Sequence, residues 1–136
     1  MTSQIPTLRE IDELLAFLPQ LTVEGLSPIR EWRGGEKLPD GAITFPWPAY
    51  EGVVREFFEV AGQDCWMDFD YVPQEAGRIL EGRARVRRAS LPEIKTMLTY
   101  CVRGERFGEG HWGAMIREGH VRRLLERLEE IRAELG

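Results

Sequence analysis

The stretch from Ser90 to Val102 constrains the fold more than any other part of the sequence. Ser90-Leu-Pro-Glu93 has the spacing of a capping box, in which the serine side chain and the glutamate side chain each accept from the other's backbone amide at a helix start. Apolar residues then recur at helical spacing, at Leu91, Ile94, Met97, Leu98, Cys101 and Val102. The pattern predicts a central amphipathic helix from Leu91 to about Arg106.

Further helical patterns lie on both sides of this helix. A capping box at Thr7-Leu-Arg-Glu10 and an apolar face predict a first helix over Leu8–Leu18. Trp47-Pro48 is interpreted as the opening of a second helix, because proline is favoured in a first helical turn. Glycines and apolar spacing predict the remaining segments, which are Pro73–Leu80, His111–Arg117 and a final helix over 121–135.

The segment 21–47 breaks the helical pattern with repeated prolines and glycines, yet it is rich in aromatic residues. We expect it to be an ordered loop that covers the core, with Phe45 and Trp47 buried and Trp32 partly exposed, since a large exposed aromatic patch marks an interface. A partner or dimer surface is the alternative. Short extended segments are possible over 42–45 and 65–71, which would allow one short hairpin.

These elements predict a mainly α, compact single domain over residues 1–136 with about five helices. It comprises a helical N-terminal segment 8–18, the aromatic loop 21–47 and a helical core 48–136. A chain of 136 residues with 43% hydrophobic residues can bury a core without disulfides or metals. Its two cysteines, Cys65 and Cys101, fit a reduced cytoplasmic setting, and we expect neither a signal peptide nor a membrane helix.

The net charge of −5 argues against nucleic-acid binding, since nucleic-acid-binding domains usually carry a basic footprint. The first 82 residues are acidic and the remainder is basic, which indicates either internal complementarity or a partner with an anionic surface. The one basic cluster precedes the central helix and could follow a nucleic-acid backbone; it consists of Arg83, Arg85, Arg87 and Arg88.

The densest polar cluster follows the central helix. Arg103 and Arg106 are three residues apart on one helical face, and paired guanidinium groups can clamp a carboxylate or a phosphate. Glu109 and His111 are the candidate polar partners in the following turn. The alternative is that both arginines form ion pairs with acidic residues such as Asp68 or Asp70 and so stabilise the turn.

The histidines, the cysteines and a group of acidic residues are interpreted as structural or surface residues, not as catalytic or metal-binding ones. His111 and His120 are the only histidines and no metal-ligand spacing accompanies them, so we expect no metal and no cofactor. Cys101 lies in an apolar stripe, and Cys65 follows an acidic residue that would not activate it. The acidic group around Asp64, Asp68, Asp70 and Glu75 is interpreted as a solvated or arginine-paired surface.

The C-terminal half resembles a family of small bacterial proteins known only as a domain of unknown function, DUF6508. The resemblance rests on Leu91–Val102, then Arg103-Gly-Glu-Arg106-Phe107-Gly-Glu-Gly110, then Gly119-His-Val-Arg-Arg and a closing helix. It implies a stand-alone bacterial cytoplasmic domain with no assigned activity, and it draws attention to Arg103, Arg106, Phe107 and Gly110. His111-Trp112 departs from the family pattern, so no role is carried over to that pair.

Two functions remain in competition at this point. The first is a non-enzymatic interaction or regulatory module without catalytic residues, because no nucleophile–base pair, metal set or cofactor loop is evident. The second is a binder of, or enzyme acting on, a small anionic ligand held by Arg103, Arg106, Glu109 and His111. The expected partner is accordingly an unknown protein or a small anion, with a homodimer as a further alternative.

Overall fold

The fold is mainly helical, with one small antiparallel hairpin. The structure is a computed structural model and describes residues 4–136. The helices are α1 (Leu8–Leu15), α2 (Leu18–Leu21), α3 (Gly52–Ala61), α4 (Pro73–Glu81), α5 (Arg83–Val86), α6 (Leu91–Arg103), α7 (His111–Arg117) and α8 (His120–Leu135), and the strands are β1 (Ile29–Arg33) and β2 (Trp47–Tyr50). Two 3₁₀ helices, Asp64–Trp66 and Gly104–Arg106, complete the described elements.

The predicted capping boxes are confirmed at both helix starts. The Thr7 side chain accepts from the Glu10 amide, and the Glu10 carboxylate accepts from the Thr7 amide. Ser90 and Glu93 form the same reciprocal pair at the start of α6. Each box satisfies backbone amides that have no partner inside the helix.

The central position of α6 is also confirmed. This helix contacts α3, α4, α7 and α8, and its apolar face is fully buried at Ile94, Met97, Leu98 and Cys101. The core continues through α8 at Leu124, Leu125 and Leu128, and through Trp66 between α3 and α4. Burial of this apolar face against its neighbours is what stabilises the helix, more than intrinsic propensity.

Several element boundaries differ from the sequence predictions. The first helix ends at Leu15, not Leu18, and Pro19 opens the separate turn α2, where its missing N–H is not needed. The segment 65–71 is not extended, because a 3₁₀ helix occupies Asp64–Trp66. The described chain therefore contains more helices than five, since α2 and α5 are additional single turns.

The predicted helix start at Trp47-Pro48 is wrong, because this dipeptide lies in a strand. β2 pairs antiparallel with β1, with Trp47 opposite Arg33 and Tyr50 opposite Ile29, and helix α3 begins only at Gly52. The hairpin allowed by the sequence is present, but its strands lie outside the segments proposed for it. Proline is acceptable here because each strand of a two-stranded sheet has one unpaired edge.

Candidate functional site

The turn between α6 and α7 contains the four residues proposed for ligand binding, and it holds them in different environments. Arg103 ends α6, Arg106 closes the 3₁₀ helix, Glu109 lies in the following turn, and His111 begins α7. Arg106 and Glu109 are exposed, whereas Arg103 and His111 are half-buried.

Neither arginine forms the expected ion pair with the acidic front half. The Arg103 guanidinium lies over the Tyr71 ring, 5.3 Å from its centroid, and among residues 4–136 neither Arg103 nor Arg106 forms a salt bridge. The Asp68 carboxylate instead accepts from the Thr96 hydroxyl at 2.7 Å and from a nearby backbone amide. The pairing with Asp68 or Asp70 is wrong because Asp68 is bonded to α6 and its own turn.

His111 packs into the domain. Its imidazole lies against Gly104 and meets the Tyr100 ring edge-on, with centroids 5.3 Å apart. Burial lowers the pKa of His111, which favours the neutral ring at pH 7. In the described part of the chain its buried Nε2 atom has no hydrogen-bond partner. This environment suits packing better than exchange of protons with a ligand.

Glu105 is the organising residue of this turn, and the sequence alone did not identify it as such. Its carboxylate accepts from the Tyr50 hydroxyl at 2.8 Å, from the Gly110 amide at 3.1 Å and from the Trp112 amide at 2.9 Å. Burial first, and then the Glu105 carboxylate, raise the pKa of Tyr50 well above its ordinary value. Glu105 therefore joins the hairpin, the turn and the start of α7.

Glycines let the hairpin approach α7 closely. Gly110 has a φ of +90°, and a Cβ at this position would lie 3.1 Å from the Trp32 ring. A Cβ at Gly113 would lie 2.9 Å from the Ile29 side chain, which would have to move to make room for it. Gly110 is favoured by its backbone angle, and both glycines allow the close contact with β1.

Trp112 completes the junction from the helical side. Its indole stacks on Phe58 with ring centroids 4.6 Å apart and an interplanar angle of 5°. Its Nε1 donates to the Val102 carbonyl at 2.9 Å, and its ring also contacts Tyr50. Trp112 is thus a structural residue.

Residues 29–50, which we call the hairpin arm, extend from this junction. Beyond the two strands, the Gly35 amide donates to Thr44 at 2.8 Å, and the Leu38 amide donates to Ala42 at 2.7 Å. An isolated bridge pairs Lys37 with Ile43. The ladder therefore continues toward the tip, and the segment is an ordered arm, not an irregular loop.

The hairpin arm exposes most of its large apolar side chains. Phe45 is 86% exposed, Trp32 53% and Trp47 47%, and Ile43 and Leu38 are exposed as well. The expected burial of Phe45 and Trp47 is therefore wrong, because both lie on the arm and not at a helix entrance. The expected partial exposure of Trp32 is confirmed.

The arginines of the basic cluster do not form one strip. Arg85 pairs with Glu93, and Arg88 donates to the Ala84 carbonyl. Arg83 and Arg87 instead border a cavity of about 330 Å³ together with Arg123 and Arg127 of α8, and Glu126 and Glu130 share this cavity. The mixture of both charges offers no continuous track for a nucleic-acid backbone.

The cysteines are buried thiols. Burial raises the pKa of Cys65 and of Cys101 to about 12, with the Glu10 carboxylate adding to the effect at Cys65. Within residues 4–136 no group of three or more histidine, cysteine or acidic side chains could hold a metal ion. No helix in the same range has the length and apolar character needed to cross a membrane.

Comparison with known protein families matches residues 6–134 to a family of unknown function, DUF6508. No curated protein and no solved structure matches the chain. The match covers both the arginine turn and the hairpin arm.

Proposed function

We propose that this chain, which belongs to the DUF6508 family, is a non-enzymatic interaction module whose hairpin arm binds a second copy of the same chain. The observation that carries the proposal is the exposure of Phe45 and Trp47 on the arm; Trp32 is also exposed, but the strand register places it on the face of the hairpin opposite Trp47, against Gly110. Exposed apolar surface of this kind is typical of protein interfaces, and aromatic residues are enriched there. A bacterial, cytoplasmic setting is part of the proposal, supported by two cysteines that are free thiols.

The charge of the arm supports a second copy as its partner. Residues 29–50 contain three basic and three acidic side chains and are neutral, whereas the whole chain has a net charge of −5. Two copies that meet through their arms therefore bring neutral surfaces together, without net electrostatic repulsion between them. Their acidic surfaces stay apart.

The backbone of the arm supports the same partner. β1 and β2 form a two-stranded sheet, so the outer edge of β1 has no backbone partners in the described chain, whereas Pro48 deprives the outer edge of β2 of a donor. A free edge such as that of β1 can pair with another strand. A twofold axis, which is the commonest symmetry of homo-oligomers, would place equivalent edges of two arms side by side.

The junction at Glu105 makes the arm suitable for binding. Tyr50, at the base of the arm, is held by the Glu105 carboxylate and packs against Trp112. Trp32 and Ile29 rest on glycines of the turn and of α7. A surface that is already ordered loses less conformational entropy on association.

The alternative function, a site for a small anion at the arginine turn, has weaker support. Arg103 is engaged with Tyr71, and His111 is turned into the core with a lowered pKa. Arg106 and Glu109 are exposed and carry opposite charges, so they would not jointly favour an anion.

Tryptophan fluorescence tests the proposal on the intact chain. Of the four tryptophans, Trp66 is fully buried and Trp112 is half-buried, whereas the two most exposed both lie on the arm. Acrylamide quenching therefore reports mainly on the arm. We expect quenching to fall as the protein concentration rises, because self-association covers these rings.

Two aromatic substitutions provide the variant and its control. Phe45→Asp removes apolar surface and adds a charge on the arm, and we expect it to abolish the concentration dependence. Phe69→Asp makes the same change at a side chain that is 48% exposed but lies outside the arm, and we expect it to behave as wild type. Quenching of the wild type that is independent of concentration would overturn the proposal.

A further inference from the structure

A second site lies far from the arm in sequence, between the segment before α1 and the first turns of α6. It is a cavity of about 370 Å³ with apolar walls formed by Ile5, Pro6, Leu91 and Pro92. This volume is in the range of small-molecule pockets, which are mostly apolar and contain a few polar groups that orient the ligand.

The cavity contains a buried lysine. Lys95 lines it from α6 and is only 4% exposed, and its Nζ donates to the Gln4 carbonyl. An ammonium group has three donors, and in the described part of the chain this carbonyl is its one hydrogen-bond acceptor. No carboxylate within residues 4–136 forms a salt bridge with it. A buried cation without an anionic partner is costly, so an anion in the cavity would be stabilised there.

Among the described residues, one carboxylate borders the cavity, that of Asp68, and it does not pair with Lys95. Asp68 accepts from the Thr96 hydroxyl at 2.7 Å and from the Asp70 amide at 3.0 Å, so both of its oxygens have partners. Its own amide donates to the Thr99 hydroxyl at 2.9 Å, which fixes this turn against α6. Asp68 is thus held by the fold and is not paired with Lys95.

We propose that this cavity binds a small organic carboxylate, with its anionic group on Lys95 and its apolar body against Ile5, Leu91 and Pro92. A carboxylate matches the ammonium in charge, and an aliphatic or aromatic body matches the walls. Such a site does not depend on the hairpin arm or on self-association.

The lysine itself fits this role. The chain has 18 basic residues, and only Lys37 and Lys95 are lysines. Of these two lysines, Lys95 is buried. Lysine presents a compact point charge, whereas arginine needs room for a planar fork of donors. Lys37 lies exposed on the hairpin arm and provides a matched control for substitution.

The experiment measures binding of hexanoate and phenylacetate by amide chemical shifts and calorimetry, with hexanamide and phenylacetamide as uncharged counterparts. For the wild type, we expect the carboxylates to bind at least about tenfold more tightly than hexanamide and phenylacetamide, and to shift the backbone amide signals of Leu91 and of residues 93–96. Lys95→Met keeps the length of the side chain without its charge and should remove this preference. Lys37→Met should preserve it.

Three results would overturn the proposal. These are no binding of either carboxylate to the wild type, equal binding of carboxylates and amides, or an undiminished preference in a folded Lys95→Met variant. If Lys95→Met does not fold, the wild-type comparison of carboxylate and amide still decides the question.

Discussion

Replacement of Glu105 by alanine is the most informative perturbation of this molecule. The carboxylate accepts hydrogen bonds from the Tyr50 hydroxyl, the Gly110 amide and the Trp112 amide, so three donors lose one acceptor together. These donors belong to the hairpin, the turn and α7, and the substitution should loosen all three from one another.

The expected magnitude follows from these contacts. A buried donor left without its acceptor costs about 1–3 kcal/mol, and bonds to a charged acceptor lie toward the upper part of that range. Because Trp112 is only half-buried, a water molecule can accept the hydrogen bond that its backbone amide no longer donates to Glu105. We therefore expect Glu105→Ala to lower the free energy of unfolding by about 3–5 kcal/mol.

Urea unfolding followed by circular dichroism measures this loss. Glu109→Ala is the control, since Glu109 lies four residues further along, is exposed and should change the free energy of unfolding by less than about 0.5 kcal/mol. Ultraviolet titration supplies a second readout, because Glu105→Gln removes a charge that raises the pKa of Tyr50. That pKa should move down toward its ordinary value.

Equal stability of Glu105→Ala and Glu109→Ala would contradict an organising role of Glu105. An unchanged Tyr50 titration in Glu105→Gln would contradict it as well. In the wild type, the stability that Tyr50 contributes should be fully present below about pH 10 and be lost as the pH rises further, because its folded pKa is the higher one.

Three further predictions concern leucines of α6, a glycine with a positive φ and the two histidines. Leu98→Ala should cost about 2–5 kcal/mol in urea unfolding and Leu91→Ala less than half as much, because Leu98 is fully buried and Leu91 only half-buried; equal costs would contradict this. Gly110→Ala should cost about 1–3 kcal/mol in the same assay, and an unchanged unfolding midpoint would exclude backbone strain at its positive φ. Burial lowers the pKa of His111 and His120, so their contribution to stability should be present above about pH 6.5 and be lost as the pH falls; a pH-independent midpoint in that window would contradict it.

The helices could be predicted because their signals are local. The capping boxes at Thr7 and Ser90 span four residues each, and both are present as predicted. The hairpin could not be placed in the same way, because β1 and β2 pair residues up to 21 positions apart, as Ile29 does with Tyr50. Trp47-Pro48 looks locally like a helix start, and only the pairing with β1 makes it a strand.

The candidate site shows the same limit. The sequence directed attention to the arginine turn. This turn does connect the hairpin with α7, but it does so through Glu105 and not through its arginines. The bond from Tyr50 to Glu105 joins residues 55 positions apart, and no spacing rule predicts such a contact. Lys95 lies four residues after Leu91 and three before Leu98, so helical spacing places it on the apolar face of α6, where a lysine is an unused signal. The packing of the N-terminal segment against α6 completes its enclosure.

Light scattering after size exclusion measures the mass of the protein in solution and so shows whether the hairpin arm joins two copies of the chain. We expect the wild type and Phe69→Asp to have twice the mass of one chain at high concentration, and Phe45→Asp to have the mass of one chain. A wild type with the mass of one chain at every concentration, or a Phe45→Asp variant that associates as the wild type does, would contradict the assignment of the hairpin arm as the interaction surface.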